Sequence, residues 1–234
     1  MNEKLIEEYN NLQILEPISL DDSKKKSIRG LVIFKDNSGN IIDIKENLIL
    51  FETRKYILES LFETSDDKKI CLFKIGQGGA DVNGSPFNPY VPRFSDTDLA
   101  EPIPFKIVDV NKDATYESRS NTSIVTELST EDKSKLFLST TDEDLTTKYY
   151  GKVFDDSSTG WKIDESTGEV AYSLNLTIEA DEARGYKLNE LGLILANKSG
   201  DDYINPTLAS RVTFSTKSLQ DLNETINIEY IIYC

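Results

Sequence analysis

Residues 171–180 read AYSLNLTIEA, and the reading of this stretch decides the fold. Tyr172, Leu174, Leu176 and Ile178 alternate with Ser173, Asn175, Thr177 and Glu179, the period of two that sets one face of a strand in a core and the other in water. The next segment, LNELGLILAN at residues 188–197, carries Leu191, Leu193 and Leu195 on one face and Gly192, Ile194 and Ala196 on the other. Neither face suits water, so this segment is predicted to be a central strand. SRVTFSTK at residues 210–217 is a further strand candidate. The chain closes on TINIEYIIYC, where Ile226, Ile228, Tyr230, Ile232 and Cys234 share a face and Ile231 and Tyr233 turn the other one apolar. A terminal strand that is apolar on both faces needs a partner or a deep slot.

Toward the N-terminus the same β character recurs. GLVIFKD and IIDIKENLIL flank NSGN at residues 37–40, a hairpin pattern with Gly39 where a positive φ is expected. FETRKYILESLFE then changes period: Ile57, Leu58, Leu61 and Phe62 fall at helical spacing with Phe51 upstream, and Thr53 is the expected N-cap. KKICLFKIG is a nearly continuous apolar run, as for a strand buried on both faces. PIPFKIVDV, TSIVTEL and KLFLST follow as short β segments between polar turns. Residues 3–15 place Leu5, Ile6, Tyr9, Leu12 and Ile14 near one face of a helix, which meets Pro17 and the polar stretch SLDDSKKKS. The expected organisation is an N-terminal helix and tether over residues 1–28, then a mainly β domain over residues 29–234. That domain is predicted to be an antiparallel β-sandwich with one or two short helices and an extended loop at residues 76–102.

Composition narrows the function. With 41 acidic against 26 basic residues the formal charge is −15, which repels phosphate backbones and anionic lipid, so neither sequence-specific nucleic-acid binding nor membrane association is expected. The basic run at residues 24–26 sits beside Asp21 and Asp22 and reads as a solvated tether. Histidine is absent, which removes Ser-His-Asp, Cys-His and histidine-metal chemistry from consideration. Two cysteines, Cys71 and Cys234, make no disulfide framework or zinc spacing, and synthesis in a reducing cytoplasm is expected.

Residues 76–102, GQGGADVNGSPFNPYVPRFSDTDLAEP, ask for an explanation. GQGG lacks the Lys-Ser/Thr of a P-loop, and the third glycine of a dinucleotide fingerprint would fall on Asp81. DVNG at residues 81–84 resembles part of a calcium loop but lacks its ladder of oxygen ligands, and Asp155, Asp156 and Asp164 offer only scattered acids. Asp96, Asp98 and Glu101 could supply paired carboxylates for glycoside hydrolysis, yet a chain this acidic produces such clusters by composition alone. Pro86, Pro89, Pro92, Pro102 and Pro104 hold the stretch extended, while Phe87, Tyr90, Val91 and Phe94 make it too apolar for a free linker. Two structural readings stay open: an arm laid on a neighbouring subunit, and one packed on its own domain.

The succession NLILFETRKYILESLF, FKIGQGG with its proline-rich sequel and DTDLAEP, LNELGLIL, and ASRVTFSTKS with a β-rich last strand resembles virion structural proteins of large tailed bacteriophages over residues 47–234. The closing IEYIIYC departs from that pattern, lacking its tryptophan and final aromatic. The resemblance implies a non-enzymatic tail, neck or baseplate component. Such a component is made in the bacterial host cytoplasm, resides in the virion, and assembles with other virion proteins or as a homo-oligomeric ring. No catalytic, cofactor-binding or metal residues are expected on this reading. The expected partner contacts are Phe87, Tyr90, Val91 and Phe94 in the arm and Tyr230 and Tyr233 in the last strand. A carbohydrate- or receptor-binding β-sandwich module is the alternative, motivated by Trp161, the tyrosines and the Asp/Asn/Ser loops.

Overall fold

The computed structural model describes residues 28–62, 68–81, 88–110, 124–143, 145–164, 169–219 and 224–233. The predicted hairpin is β1 (Arg29–Lys35) with β2 (Ile41–Ile49), and Gly39 takes φ 82° in its turn. Helix α1 (Phe51–Phe62) and β3 (Lys69–Gly76) follow. After residues 76–102 come β4 (Pro102–Ile103), β5 (Lys106–Asp109), β6 (Ile124–Val125), α2 (Thr130–Lys135), β7 (Leu136–Thr141), β8 (Thr146–Val153) and β9 (Asp155–Asp164). The chain ends with β10 (Glu169–Glu179), α3 (Ala180–Ala183), β11 (Leu188–Ser199), β12 (Asp202–Lys217) and β13 (Thr225–Tyr233).

The fold is mainly β, as the alternation predicts. Its strands run in the order β6-β5-β8-β3-β11-β12-β2-β1-β13-β10-β9, with β4 added on β3 and β7 on β8. Every described pairing is antiparallel except β5 with β6. The join between the two halves is thin, because β2 meets β12 only through Ser210↔Ile49 and Arg211↔Leu48. About that join the halves face each other. Phe34 of β1 and Phe214 of β12 approach to 4.6 Å between ring centroids, and one apolar cluster unites Val32, Leu176 and Tyr230 from one half with Phe73, Leu193 and Val212 from the other. This is the sandwich arrangement, in which inward side chains of two β layers share one core.

The central placement predicted for LNELGLIL holds, since β11 lies between β3 and β12 and is buried from Leu188 to Ala196. The last strand finds its slot inside the chain, where β13 lies between β1 and β10. Thr53 does not cap α1. It lies inside the helix, buried, and its hydroxyl donates to the Ala209 carbonyl at 2.7 Å. The helix also departs from its predicted buried face, for Phe51 and Leu58 are exposed while Thr53 points inward. Helices α2 and α3, and strands β8 and β9, were not expected from the sequence. The helix and tether expected over residues 1–28 lie outside the described residues, apart from Ile28.

Phe34 is fully buried at the meeting of the two layers. Phe34→Ala is expected to cost about 3–5 kcal/mol, measured by urea denaturation. A loss below about 1 kcal/mol would place the core elsewhere.

Candidate functional site

The Gly-rich turn after β3 and the proline-rich stretch beyond it are tied down by one side chain. Glu190 of β11 is fully buried. Its Oε1 accepts from the amides of Gly78 at 3.0 Å and Glu101 at 2.9 Å, and its Oε2 from Ala100 at 3.1 Å. On the other side, the Arg211 guanidinium of β12 donates to Oε2 through Nε at 3.1 Å and Nη2 at 2.7 Å. Arg211 Nη1 reaches on to Asp96 at 2.8 Å. Neighbouring Asn189 accepts from the Gly79 amide at 2.6 Å. Backbone bonds complete the fastening: Tyr90 N to Gly79 O at 2.8 Å and Gln77 N to Glu101 O at 2.9 Å.

This explains the glycines chemically. The amides of a Gly-rich turn form a natural anion site, and here the anion is the protein's own carboxylate. The glycines are required by close approach: a Cβ on Gly76 would meet the Glu190 carboxylate and the Glu101 carbonyl, and one on Gly79 the Asn189 backbone. Of the two open readings, the described part of residues 76–102 is thus packed on its own domain.

Anchored from beneath, the stretch presents its outer side to solvent. Tyr90 is 54% exposed, Val91 86% and Phe94 40%. Phe94 stacks on Phe51 of α1 at 5.1 Å and 16°, and the Arg54 guanidinium sits 5.0 Å from the Phe94 centroid. The Phe51 amide donates to the Phe94 carbonyl at 3.2 Å. Phe51 and Leu58 lie seven residues apart, on the same helical face, and both are more than half exposed. Together these residues make an aromatic and aliphatic face on a fixed backbone.

The other expected contacts fall elsewhere. Phe87 lies outside the described residues. Tyr230 and Tyr233, expected to meet a partner, are turned into the chain because β13 occupies the middle of a layer. Tyr230 is fully buried with its hydroxyl against Ser210, and the Tyr233 ring lies under Arg29 at 4.7 Å. The candidate acids do not converge: Asp96 is held by Arg211, Asp98 by Lys74 and Glu101 by Gln77. Among the described residues no cluster of three or more metal-ligating side chains occurs. Asp155 accepts from Thr177 at 2.7 Å. Burial pushes the Cys71 thiol up to about 11, so at neutral pH it stays protonated and a poor nucleophile. A second buried ion pair, Lys152 with Glu182 at 2.7 Å, locks α3 onto β8. Burial raises the Glu182 carboxyl above its usual range while Lys152 opposes the shift.

Trp161 on β9 is 70% exposed and meets Tyr172 edge-on at 4.9 Å. It stands at the lip of a groove of about 570 Å³ whose other walls include Ile57, Ile70, Leu174 and Ile232. Among the described residues Lys69 is the one charged side chain in that lining. Among the described residues no helix is long and apolar enough to cross a membrane. Comparison of the chain with protein-family models, curated proteins and solved structures finds no match.

Sequence reasoning missed Glu190, Asn189 and Arg211. The signal available was charge and amide in otherwise apolar strands, since a polar group in a central strand needs a dedicated partner. Gly79→Ala is expected to cost about 1–3 kcal/mol and to speed protease cleavage within residues 88–101. Gly160→Ala, with open space around the added methyl, should leave both unchanged. Equal behaviour of the two variants would refute the close-approach argument.

Proposed function

We propose that this chain is a non-enzymatic structural subunit, of the kind found in the tail, neck or baseplate of large tailed bacteriophages. It assembles through the face built by residues 90–94 and α1. The observation that carries this reading is the Phe51–Phe94 stack with Tyr90, Val91 and Leu58 around it: large apolar side chains held rigidly outward by a buried ion pair. Aromatic side chains fixed before contact lose little entropy on docking, which is the condition for an interface anchor. A solvated loop has no use for such side chains on a fastened backbone. The sequence resemblance supplies the virion context, and the absence of histidine together with the dispersed acids supports a role without catalysis. The net charge of −15 suits a component that does not adhere to passing DNA.

A glycan-binding module is the second reading, favoured by the exposure of Trp161 beside Tyr172. Aromatic platforms of this kind stack on sugar faces, but sugar hydroxyls also need converging polar partners, and the groove beside Trp161 is walled mainly by apolar side chains. The observations therefore favour the assembly reading.

Sedimentation of the full chain across concentration provides the test. Self-association is expected for the wild type, with the double variant Phe51→Glu, Val91→Glu weakening it at least tenfold while keeping the fold. Indistinguishable sedimentation of the two, both monomeric at all concentrations, would refute assembly of copies through this face.

A further inference from the structure

The outer face of the layer formed by β3, β11 and β12 holds a cavity of about 570 Å³, and none of its lining residues belongs to α1 or to residues 90–94. Its position follows from register. Directly paired residues of an antiparallel ladder project from one face, so Leu72 and Leu208, each opposite Ile194, lie with it on one side. Phe73, Leu193 and Val212 point the other way, into the shared core. Two covers reach over the outer side: the fastened connection, through Leu99, and β7, through Phe137 and Leu138. The cavity keeps Ile194 and Leu208, both 3% exposed, as its floor, with Tyr150 and Tyr203 in its walls. The Tyr203 ring is held edge-on against Phe137 at 4.8 Å. Leu138, in the same wall, takes φ 56°, a left-handed backbone that a leucine keeps only where packing imposes it. Its side chain occupies the space that Gly151 leaves, where a Cβ would meet Leu138 Cδ1 at 2.8 Å. Strained backbone of this kind collects at ligand sites.

The rest of the lining is polar. Thr97 and Asp98 come from the connection, Ser139 and Thr140 from β7, and Asp202 and Thr207 from β12. Lys74 also lines the cavity, but its charge is met by Asp98 Oδ1. That oxygen accepts from the Leu99 amide at 2.8 Å as well, and Asp202 Oδ1 accepts from the Tyr203 amide at 2.8 Å. Among the described residues no hydrogen bond reaches the second oxygen of either carboxylate, the phenol oxygens of Tyr150 and Tyr203, or the hydroxyls of Ser139 and Thr140. We propose that this cavity binds a neutral pyranose unit of a glycan.

The donor and acceptor set selects this chemistry. A sugar ring presents hydroxyls that both donate and accept at its edge and C–H groups on its faces. The lining matches it with hydroxyls of the same dual capacity, carboxylate acceptors, and aromatic and aliphatic surface below. Anionic ligands are repelled, because the charged lining residues are one cation, Lys74, against Asp98 and Asp202, on a chain of net charge −15. An ammonium ligand could use the carboxylates, but it carries donors alone and leaves the hydroxyl protons of the lining without an acceptor. Trp161 offers an aromatic surface in a separate groove that shares no lining residue with this cavity. Here the aromatic rings and the polar partners occur together.

Saturation-transfer NMR on the full chain tests this with lactose, maltose, cellobiose and chitobiose, each at about 10 mM so that a Kd in the millimolar range registers. At least one disaccharide is expected to receive magnetisation and to shift the amide signals of Ser139, Thr140, Asp202 and Thr207. The double variant Tyr150→Phe, Asp202→Ala should weaken that binding about tenfold or more while the amide spectrum of β10 and β13 is preserved. Trp161→Ala should leave it unchanged. Transfer to none of the four sugars, or equal binding by the wild type and the double variant, would overturn the proposal. Loss of binding in Trp161→Ala alone would also overturn it, by moving the sugar to the other groove. Choline is the control for an ammonium ligand: if it shifts the cavity amides and the sugars do not, the ligand class is wrong.

Discussion

The geometry of the exposed face depends on the buried carboxylate of Glu190. A carboxylate removed from water is stable only when its charge and lone pairs are met, and breaking such a pair typically costs about 3–5 kcal/mol. Here the partners are the Arg211 guanidinium on one side and three backbone amides on the other. Those amides belong to Gly78, Ala100 and Glu101, at the beginning and end of the long connection from β3 to β4. One side chain therefore fastens both ends of that connection to the central strands. Arg211 extends the hold to Asp96, a few residues before its end.

Two functional consequences follow. The Gly-rich turn is satisfied from within, so its amides are engaged by an internal anion and are not presented to a phosphate. The proline-rich segment, fixed at its base, then holds Tyr90, Val91 and Phe94 outward and sets Phe94 against Phe51. Apolar replacement of a buried ion pair is often neutral or stabilising, since such pairs seldom add net stability. What it could not supply is the hydrogen-bonded address that fixes where the excursion lies. In this fold the buried charge specifies position more than it stabilises.

Much of the architecture was legible because alternation is a direct record of burial. The alternation of β10 and the run from Leu191 to Ala196 in β11, apolar on both faces, announced a strand with one face in the core and a central strand, and Gly39 announced its turn. The apolar last strand posed the choice between partner and slot, which tertiary structure resolved by setting β13 between β1 and β10. Strand β9 was hidden because DDSSTGWKID carries turn residues at the border of the ladder, where one side needs no partner. Strand β8 was overlooked although TTKYYGKV has the β-branched and aromatic content of a strand. Helices α2 and α3 span six and four residues, too short for a period to register. Tyr90, Val91 and Phe94, which the fold leaves exposed, stood out in the sequence as apolar side chains among prolines. The anchor could not, because Glu190 and Arg211 lie diagonally on neighbouring strands, opposite Thr213 and Gly192 respectively, and their pairing is a property of register.

Amide hydrogen exchange at Gly78, Ala100 and Glu101 examines the fastening most directly. If the Glu190 carboxylate holds the connection, Glu190→Gln sets an amide N–H against backbone donors and weakens the charge pair. Exchange at those three amides should then accelerate together by about 10²-fold or more, with amides in β10 and β13 keeping their protection. Unchanged exchange at the three sites, or acceleration spread evenly over the whole molecule, would contradict the claim that this carboxylate is the clamp.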